Sequence, residues 1–402
     1  VDHSHLDYAL DELLKVDIPT IRQREGSAFD ILAGPFSQTL VLFGAGHVGR
    51  KALAGLSKMG IKPLSFVDSN PDLWNTSVDG LKVLSPSDAV HSYGNTAAFV
   101  VTIWSPGVNF LSLQRQLHNM GCPCVISFVY LFQKYPDIFL PHVCIDLPHK
   151  IFSQSDEIRK AMSILADHTS RMEFLNQLKW LSDPIDMGGG KFQPSISGPK
   201  DLPTNLFSLH AEEIFVDCGA FNGDTIRSLL DYAGSSFRAI LAFEPDPQNF
   251  ACLESFVASL QSNARKNIFL HQAAIGAVSD VMQFSALGSV GSFLDPSGSI
   301  QVEVKPLDAI FGDDFQPTII KMDIEGAEID GLIGGTKIIG RSQPVLSIYV
   351  YHCQDHLWRI PLLIHSQSKE YQLFLRRYTN EFSELVCFAI PVNRLRGKNG
   401  TA

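Results

Sequence analysis

Four side chains in the second half of this chain have types and positions suited to chemistry: Glu244, Asp323, Glu325 and His352. Glu244 closes the apolar run Ile240-Leu-Ala-Phe243, Asp323 closes Thr318-Ile-Ile-Lys-Met322, and His352 closes Pro344-Val-Leu-Ser-Ile-Tyr-Val-Tyr351. Each run reads as a strand, so each polar group stands where a strand ends. A carboxylate such as Glu244 can accept both hydroxyls of a ribose diol, a task for an acceptor-only group. An imidazole with an ordinary pKa of about 6.5 suits removal of a proton from a hydroxyl, which makes His352 the first candidate for a general base. Asp323 is the second, as base or as a carboxylate that orients the acceptor, with Glu325 beside it. The structural alternatives are a histidine satisfied by backbone, and acids that serve the start of a helix near Gly326. Asp323 and Glu325 also offer hard oxygens of the kind magnesium prefers. No third ligand is visible in the sequence, so no metal is expected.

The segment that must bring a ligand to these groups is Val216-Asp-Cys-Gly-Ala-Phe-Asn-Gly-Asp224. Ile214-Phe215-Val216 reads as a short buried strand ended by Asp217, and Thr225 to Leu230 as the helix that follows. Gly219 and Gly223 allow a tight turn and a close approach of backbone to a ligand. The spacing is neither a P-loop nor a dinucleotide fingerprint. It suits a ligand with an amino-acid tail and a ribose but no pyrophosphate, such as S-adenosylmethionine. Asp224 either contacts the ligand or complements the helix dipole, and Cys218 reads as a small buried residue. A further strand and turn span Ile268 to Gly276, with helices over Pro247 to Leu260 and Gly326 to Ile339. Strands alternating with helices predict a doubly wound α/β sheet, with its ligand crevice at the carboxyl ends of the strands. Tyr349 and Tyr351 either pack on the sheet or offer an aromatic face to a sulfonium.

From about Ile214 to Pro391 the chain resembles the FkbM family of S-adenosylmethionine-dependent methyltransferases. The carriers are residues 216–224, Phe-Glu-Pro-Asp at 243–246, Gln-Ala-Ala-Ile-Gly at 272–276, and Ile-Lys-Met-Asp-Ile-Glu-Gly-Ala-Glu at 320–328. The resemblance implies a class I methyltransferase sheet with S-adenosylmethionine as cofactor. It implies that Asp217, Gly219, Ala220 and Gly223 hold the methionine tail and Glu244 the ribose. Asp323 and Glu325 then stand where the methyl group meets its acceptor. The implied acceptor is a hydroxyl on a sugar, glycan or small metabolite. Phe221 departs from the family, where many members carry Asn. Gln272 and Ala273 stand near the adenine where many methyltransferases place an acid.

The first third of the chain carries a second signal. Thr39-Leu-Val-Leu-Phe43 is a strand followed by Gly44-x-Gly46-x-x-Gly49, and Ile61 to Asp68 is a second strand ending in an acid. Lys51 to Met59 reads as the helix between them. This is the dinucleotide pattern in its proper context, with Asp68 spaced for a ribose and the helix start suited to phosphate. Further strands are expected at Phe99–Ile103 and Cys124–Phe128. The unit looks like a small Rossmann-like domain of the kind attached to sugar-modifying enzymes. It either binds a nucleotide or sugar nucleotide, or is structural and presents a substrate.

At 402 residues the chain has room for two or three domains. The expected division is a Rossmann-like domain over 1–150, a helical linker over 151–210 and a methyltransferase domain over 211–402. Ser155 to Asp183 reads as helix with a slip near Asp167, and Ser170-Arg-Met-Glu173 fits a capping box for its second part. Met187 to Pro203, rich in Gly, Pro and Ser, reads as a mobile linker. A net charge of −10 without basic runs speaks against a nucleic-acid partner. The apolar runs are too short to span a membrane. Seven cysteines at low density and no visible leader predict reduced thiols in the cytoplasm. Oligomeric state is not legible. Two other readings stay open: an NAD(P)-dependent sugar oxidoreductase using the Gly44 motif, and a non-catalytic nucleotide-binding module.

Overall fold

Two mainly parallel sheets organise the chain. The computed structural model describes residues 4–105, 108–183, 192–196, 201–234, 236–289, 291–379 and 383–396. The first sheet contains β1 (Leu40–Phe43), β2 (Ser65–Val67), β3 (Ser77–Val78), β4 (Leu81–Leu84), β5 (Ala98–Val101) and β6 (Val125–Ser127). Its order is β3-β4-β2-β1-β5-β6, parallel except for the β3–β4 hairpin. The central strands β1 and β5 are buried along their whole length, as expected of apolar strands covered on both faces. The helix His47–Lys58 follows β1 directly.

The second sheet holds β7 (Ile214–Cys218), β8 (Ala239–Phe243), β9 (Ile268–His271), β14 (Ile319–Met322), β15 (Val345–Tyr349), β16 (Tyr371–Arg377) and β17 (Leu385–Pro391). Its order is β16-β17-β15-β14-β7-β8-β9. Cys218 is in register with Met322 on one side and with Phe243 on the other. The turn after β7, Glu244 after β8 and Asp323 after β14 therefore emerge at one edge. The mixed α/β class is as expected. The antiparallel pair β16–β17 is not apparent from the sequence pattern, because β17 is a continuous apolar run and β16, Tyr-Gln-Leu-Phe-Leu-Arg-Arg, does not alternate strictly.

A further four-stranded sheet also departs from the expectation. Residues 268–276 do not form one strand and turn: after β9, a short β10 (Ala274–Ile275) leaves the main sheet. It pairs with β13 (Ile300–Lys305), which pairs with β11 (Asp280–Ser285), and that strand pairs with β12 (Phe293–Leu294). Strand β11, although paired on both sides, is exposed over half its length, so it lacks the apolar alternation that marks a strand.

The helices at 155–183 are less a linker than a layer on the second sheet. Ile158, Met162, Phe174 and Leu178 share a core with Leu346, Trp358 and Leu373. Leu6, Leu10 and Leu14 of the helix Ser4–Leu14 join that same core. The break falls at Asp167, whose side chain caps the helix His168–Ser182 by accepting from Ser170 N at 2.9 Å. The expected capping box at Ser170 does not form, and the helix is capped three residues earlier by Asp167 alone. Glu173 instead pairs with the buried Arg377 of β16 at 3.1 Å. The expected helix Gly326–Ile339 is two, Glu328–Gly334 and Thr336–Ser342, broken at Gly335. Trp104 packs against the cores of both sheets, its ring 6.2 Å from that of Trp180. Of the expected mobile linker, residues 187–191 and 197–200 lie outside the described residues. Among the described residues no helix is long and apolar enough to cross a membrane.

Candidate active site

The carboxyl edge of the second sheet carries a cavity lined by Gly219, Phe221, Glu244, Ala273, Asp323, Glu325 and Tyr351, with Phe243, Ile275, Phe284 and Leu294 as apolar wall. The small sheet supplies part of its cover. Asp246, fully buried, holds that cover down: its Oδ2 accepts from Ser292 Oγ at 2.6 Å and Gly288 N at 3.0 Å. Asp246 Oδ1 also caps the helix Pro247–Ser259 through Gln248 N at 2.8 Å. One residue of the Phe-Glu-Pro-Asp string therefore fixes a helix start and a loop across the cavity.

Glu244 is held by two amides, Phe221 N on Oε2 and Asp246 N on Oε1, each at 2.9 Å. Each carboxylate oxygen keeps a further lone pair. Burial raises its pKa, opposed by these two amide bonds. Gly219 has φ +83°, and a Cβ there would lie 1.8 Å from Asp323 O. The glycine is thus required by the close approach of the β14 end as well as by the turn.

Other expected ligand contacts sit deeper. Asp217 is fully buried under the turn, where Lys321 Nζ donates to its Oδ1 at 3.1 Å and to Gly219 O at 2.8 Å. Asp217, Ala220 and Gly223 do not line the cavity, and Gln272 faces a neighbouring pocket beside His271. Burial disfavours the Lys321 ammonium, but Asp217 and Asp323 outweigh it and hold its pKa above the ordinary value. Lys321 lies in the 320–328 string as a lone charge inside an apolar strand, but no role was expected of it there. Cys218 is fully buried. Tyr349 is buried in the core, whereas Tyr351 faces the cavity.

His352 lies at the base of a second, larger cleft of about 1110 Å³ between the two sheets. Its Nδ1 is 2.8 Å from Glu328 Oε1, and its Nε2 faces Asp323 Oδ1 at 3.4 Å and Glu325 Oε1 at 3.7 Å. Glu328 Oε1 also accepts from Ile324 N at 2.9 Å, and Glu328 Oε2 lies 3.1 Å from His356 Nδ1. Burial alone would lower the His352 pKa, but Glu328, Glu325 and Asp323 together lift it to about 10. With no cation bound, these three carboxylates about its ring nitrogens favour the protonated form of His352, whose ring also packs near Tyr351. Asp323 is a part-exposed carboxylate that lines the first cavity. Burial pushes the neighbouring Glu325 up to about 7.

The opposite wall of the cleft is the turn of the first sheet. Gly44, Gly46 and Asp68 line it, with Lys51, Trp104 and His142. Asp68 accepts from Ala45 N at 2.9 Å and Asn70 N at 2.8 Å. Gly49 is packed under the turn, while a Cβ on Gly46 would meet nothing within 4 Å. Glu325 and Phe293 line both the cleft and the first cavity, so the two spaces adjoin. Lys51, His142 and Phe293 carry no sequence signal for this role, since their meeting depends on how the sheets face one another.

The family model for the methyltransferase FkbM domain matches residues 217–382. No protein of curated function matches the chain. Among solved structures, the methyltransferase FkbM of Methylobacillus flagellatus KT aligns at TM-score 0.69 and 19% identity, covering 93% of this chain and 100% of that one. At that identity the likeness is one of fold, and it runs through nearly the whole chain. The methyltransferase domain of bacterial CtHen1-CN covers 47% of this chain, with 92% of its own length, at TM-score 0.30 and 11% identity, too low to carry an argument.

Proposed function

We propose, from the match of residues 217–382 to the methyltransferase FkbM domain family, that the protein moves a methyl group from S-adenosylmethionine to a hydroxyl of a sugar-bearing or small-molecule acceptor. The observation that carries this is the meeting of Gly219, Glu244 and Asp323 around one cavity at a sheet edge. The cavity's chemistry fits the cofactor. Glu244 has lone pairs for a ribose diol, the apolar wall suits a flat ring, and the Gly219 turn admits a close-lying tail. When bound, S-adenosylmethionine supplies an electrophilic methyl group on a sulfonium.

The chain's own share is alignment and proton handling. Methyl transfer is in line, so holding acceptor and cofactor at fixed geometry supplies much of the rate. Asp323 and Glu325 sit where the cofactor cavity meets the cleft, and a carboxylate there accepts the hydroxyl proton as the oxygen is alkylated. Tyr351 offers its ring to the positive sulfonium. The cleft is of a size that takes a sugar-bearing acceptor. Its far wall, the Gly44–Gly46 turn, supports reading the first sheet as a Rossmann-like unit that presents the acceptor.

Calorimetric titration with S-adenosylhomocysteine tests the reading. We expect micromolar binding by the wild-type protein and its loss in Glu244→Ala. No binding by wild type, together with NAD uptake that Asp68→Ala abolishes, would transfer the chemistry to the first sheet and favour an oxidoreductase.

A further inference from the structure

We propose that Asp323, Glu325 and His352 form a divalent-cation site at the junction of the cofactor cavity and the cleft. One ligand atom from each lies within 4.8 Å of the others. His352 Nε2 stands 3.4 Å from Asp323 Oδ1 and 3.7 Å from Glu325 Oε1. Ligands at right angles around a cation with bonds of about 2.1 Å are about 3.0 Å apart, so small side-chain rotations close the site.

Two unsatisfied atoms point the same way. His352 Nε2 and Asp323 Oδ1 are buried without a hydrogen-bond partner among the described residues, and His352 is only 3% exposed. Buried polar atoms are nearly always satisfied, and a shared cation satisfies both. The outer shell is already built. The Glu328 carboxylate on His352 Nδ1, at 2.8 Å, selects the tautomer whose Nε2 lone pair faces the two acids. Ile324 N and Gly326 N fix Glu328 in turn. Glu325 adopts φ 54°, a conformation that non-glycine residues rarely take without a reason, and it carries its carboxylate into this group.

One imidazole and two carboxylates suit a borderline to hard cation such as manganese(II). Asp323 and Glu325 line the cofactor cavity, whereas Glu325 and His352 line the cleft, so the cation's remaining positions face the acceptor. Resting on the methyltransferase reading, its task there is to bind the acceptor's hydroxyl oxygen and favour loss of its proton.

Manganese(II) titration of the chelator-treated full chain, followed by electron paramagnetic resonance, tests the site. We expect one equivalent bound at micromolar affinity, at least tenfold weaker in Glu325→Gln and in His352→Gln, each checked for cooperative melting. Pulsed spectra of the wild type should show nitrogen coupling from His352, a readout that needs no variant. Absence of stoichiometric binding, bound manganese without nitrogen coupling, or unchanged affinity in both folded variants overturns the site. S-adenosylhomocysteine calorimetry on the same chelated wild type separates the two claims. Cofactor-product binding without manganese binding sinks the cation site alone, and the reverse sinks the methyltransferase reading alone.

Discussion

The Nδ1 of His352 and the Oε1 of Glu328 lie 2.8 Å apart at the foot of the inter-sheet cleft, and both side chains are buried. The same Glu328 oxygen accepts from Ile324 N and Gly326 N, the amides flanking Glu325. One carboxylate thus sets both the imidazole and the turn that aims Glu325. In Glu328→Gln the amide NH2 replaces one acceptor, leaving a buried donor facing other donors. We expect a loss of roughly 2–4 kcal/mol in urea unfolding, within the range for breaking a buried charge pair. Turnover should fall further than stability alone explains, since Glu325 and His352 lose their common support.

Gly219→Ala addresses the other side of the site. A Cβ at that position would fall 1.8 Å from Asp323 O, on a backbone at φ +83°. Either the turn or the end of β14 must move. Positive φ at a non-glycine residue costs about 1–3 kcal/mol, before the clash is counted. We expect destabilisation above about 2 kcal/mol, with S-adenosylhomocysteine affinity reduced by tenfold or more in calorimetry. Full affinity in a stable Gly219→Ala protein would show that the turn does not set the cavity.

How far the sequence carried this picture depends on the element. Strand ends were legible because short apolar runs closed by single polar residues leave few registers, and Glu244 and Asp323 emerged at the edge expected of them. What failed had non-local causes. The small sheet over the cavity has an exposed strand with no clear period. The cap at Asp167 competed with an equally plausible Ser170, and the site of Glu173 was decided by Arg377, 204 residues away. His352 was found by its place in the chain, but its chemistry is governed by three acids from the segment after β14, of which Glu328 opens the helix Glu328–Gly334. The facing of Gly46 toward His352 across the cleft has no counterpart in any local pattern.

Acid sensitivity follows from His142. Burial, with Lys51 and His47 nearby, lowers its pKa to about 3. Lys51 Nζ lies 3.3 Å from its Nδ1, and Trp104, Phe128 and Phe132 surround the ring. Above about pH 6.5 the ring is neutral in folded and unfolded chains alike and adds no pH dependence. Below that value the unfolded chain binds a proton that the folded one refuses, so stability falls as pH drops from about 6.5 toward 3. The slope from this group approaches about 1.4 kcal/mol per pH unit. Urea unfolding at several pH values should show a shallower acid slope in His142→Phe than in wild type. Equal slopes would mean that His142 charges in the folded state.

Gly46→Ala separates the cleft's two walls. Gly46 starts the helix His47–Lys58 at φ −77°, an ordinary conformation for alanine, and a Cβ there meets nothing within 4 Å. The folded protein has no steric reason to object, and the change at a helix N-cap costs at most about 1 kcal/mol. The added methyl does, however, occupy space at the turn that faces the cleft. If acceptors rest against this turn, Gly46→Ala should raise their KM several-fold while kcat, S-adenosylhomocysteine affinity and melting temperature stay near wild type. An unchanged KM would place the acceptor wholly on the Glu325 side and leave the first sheet a structural role.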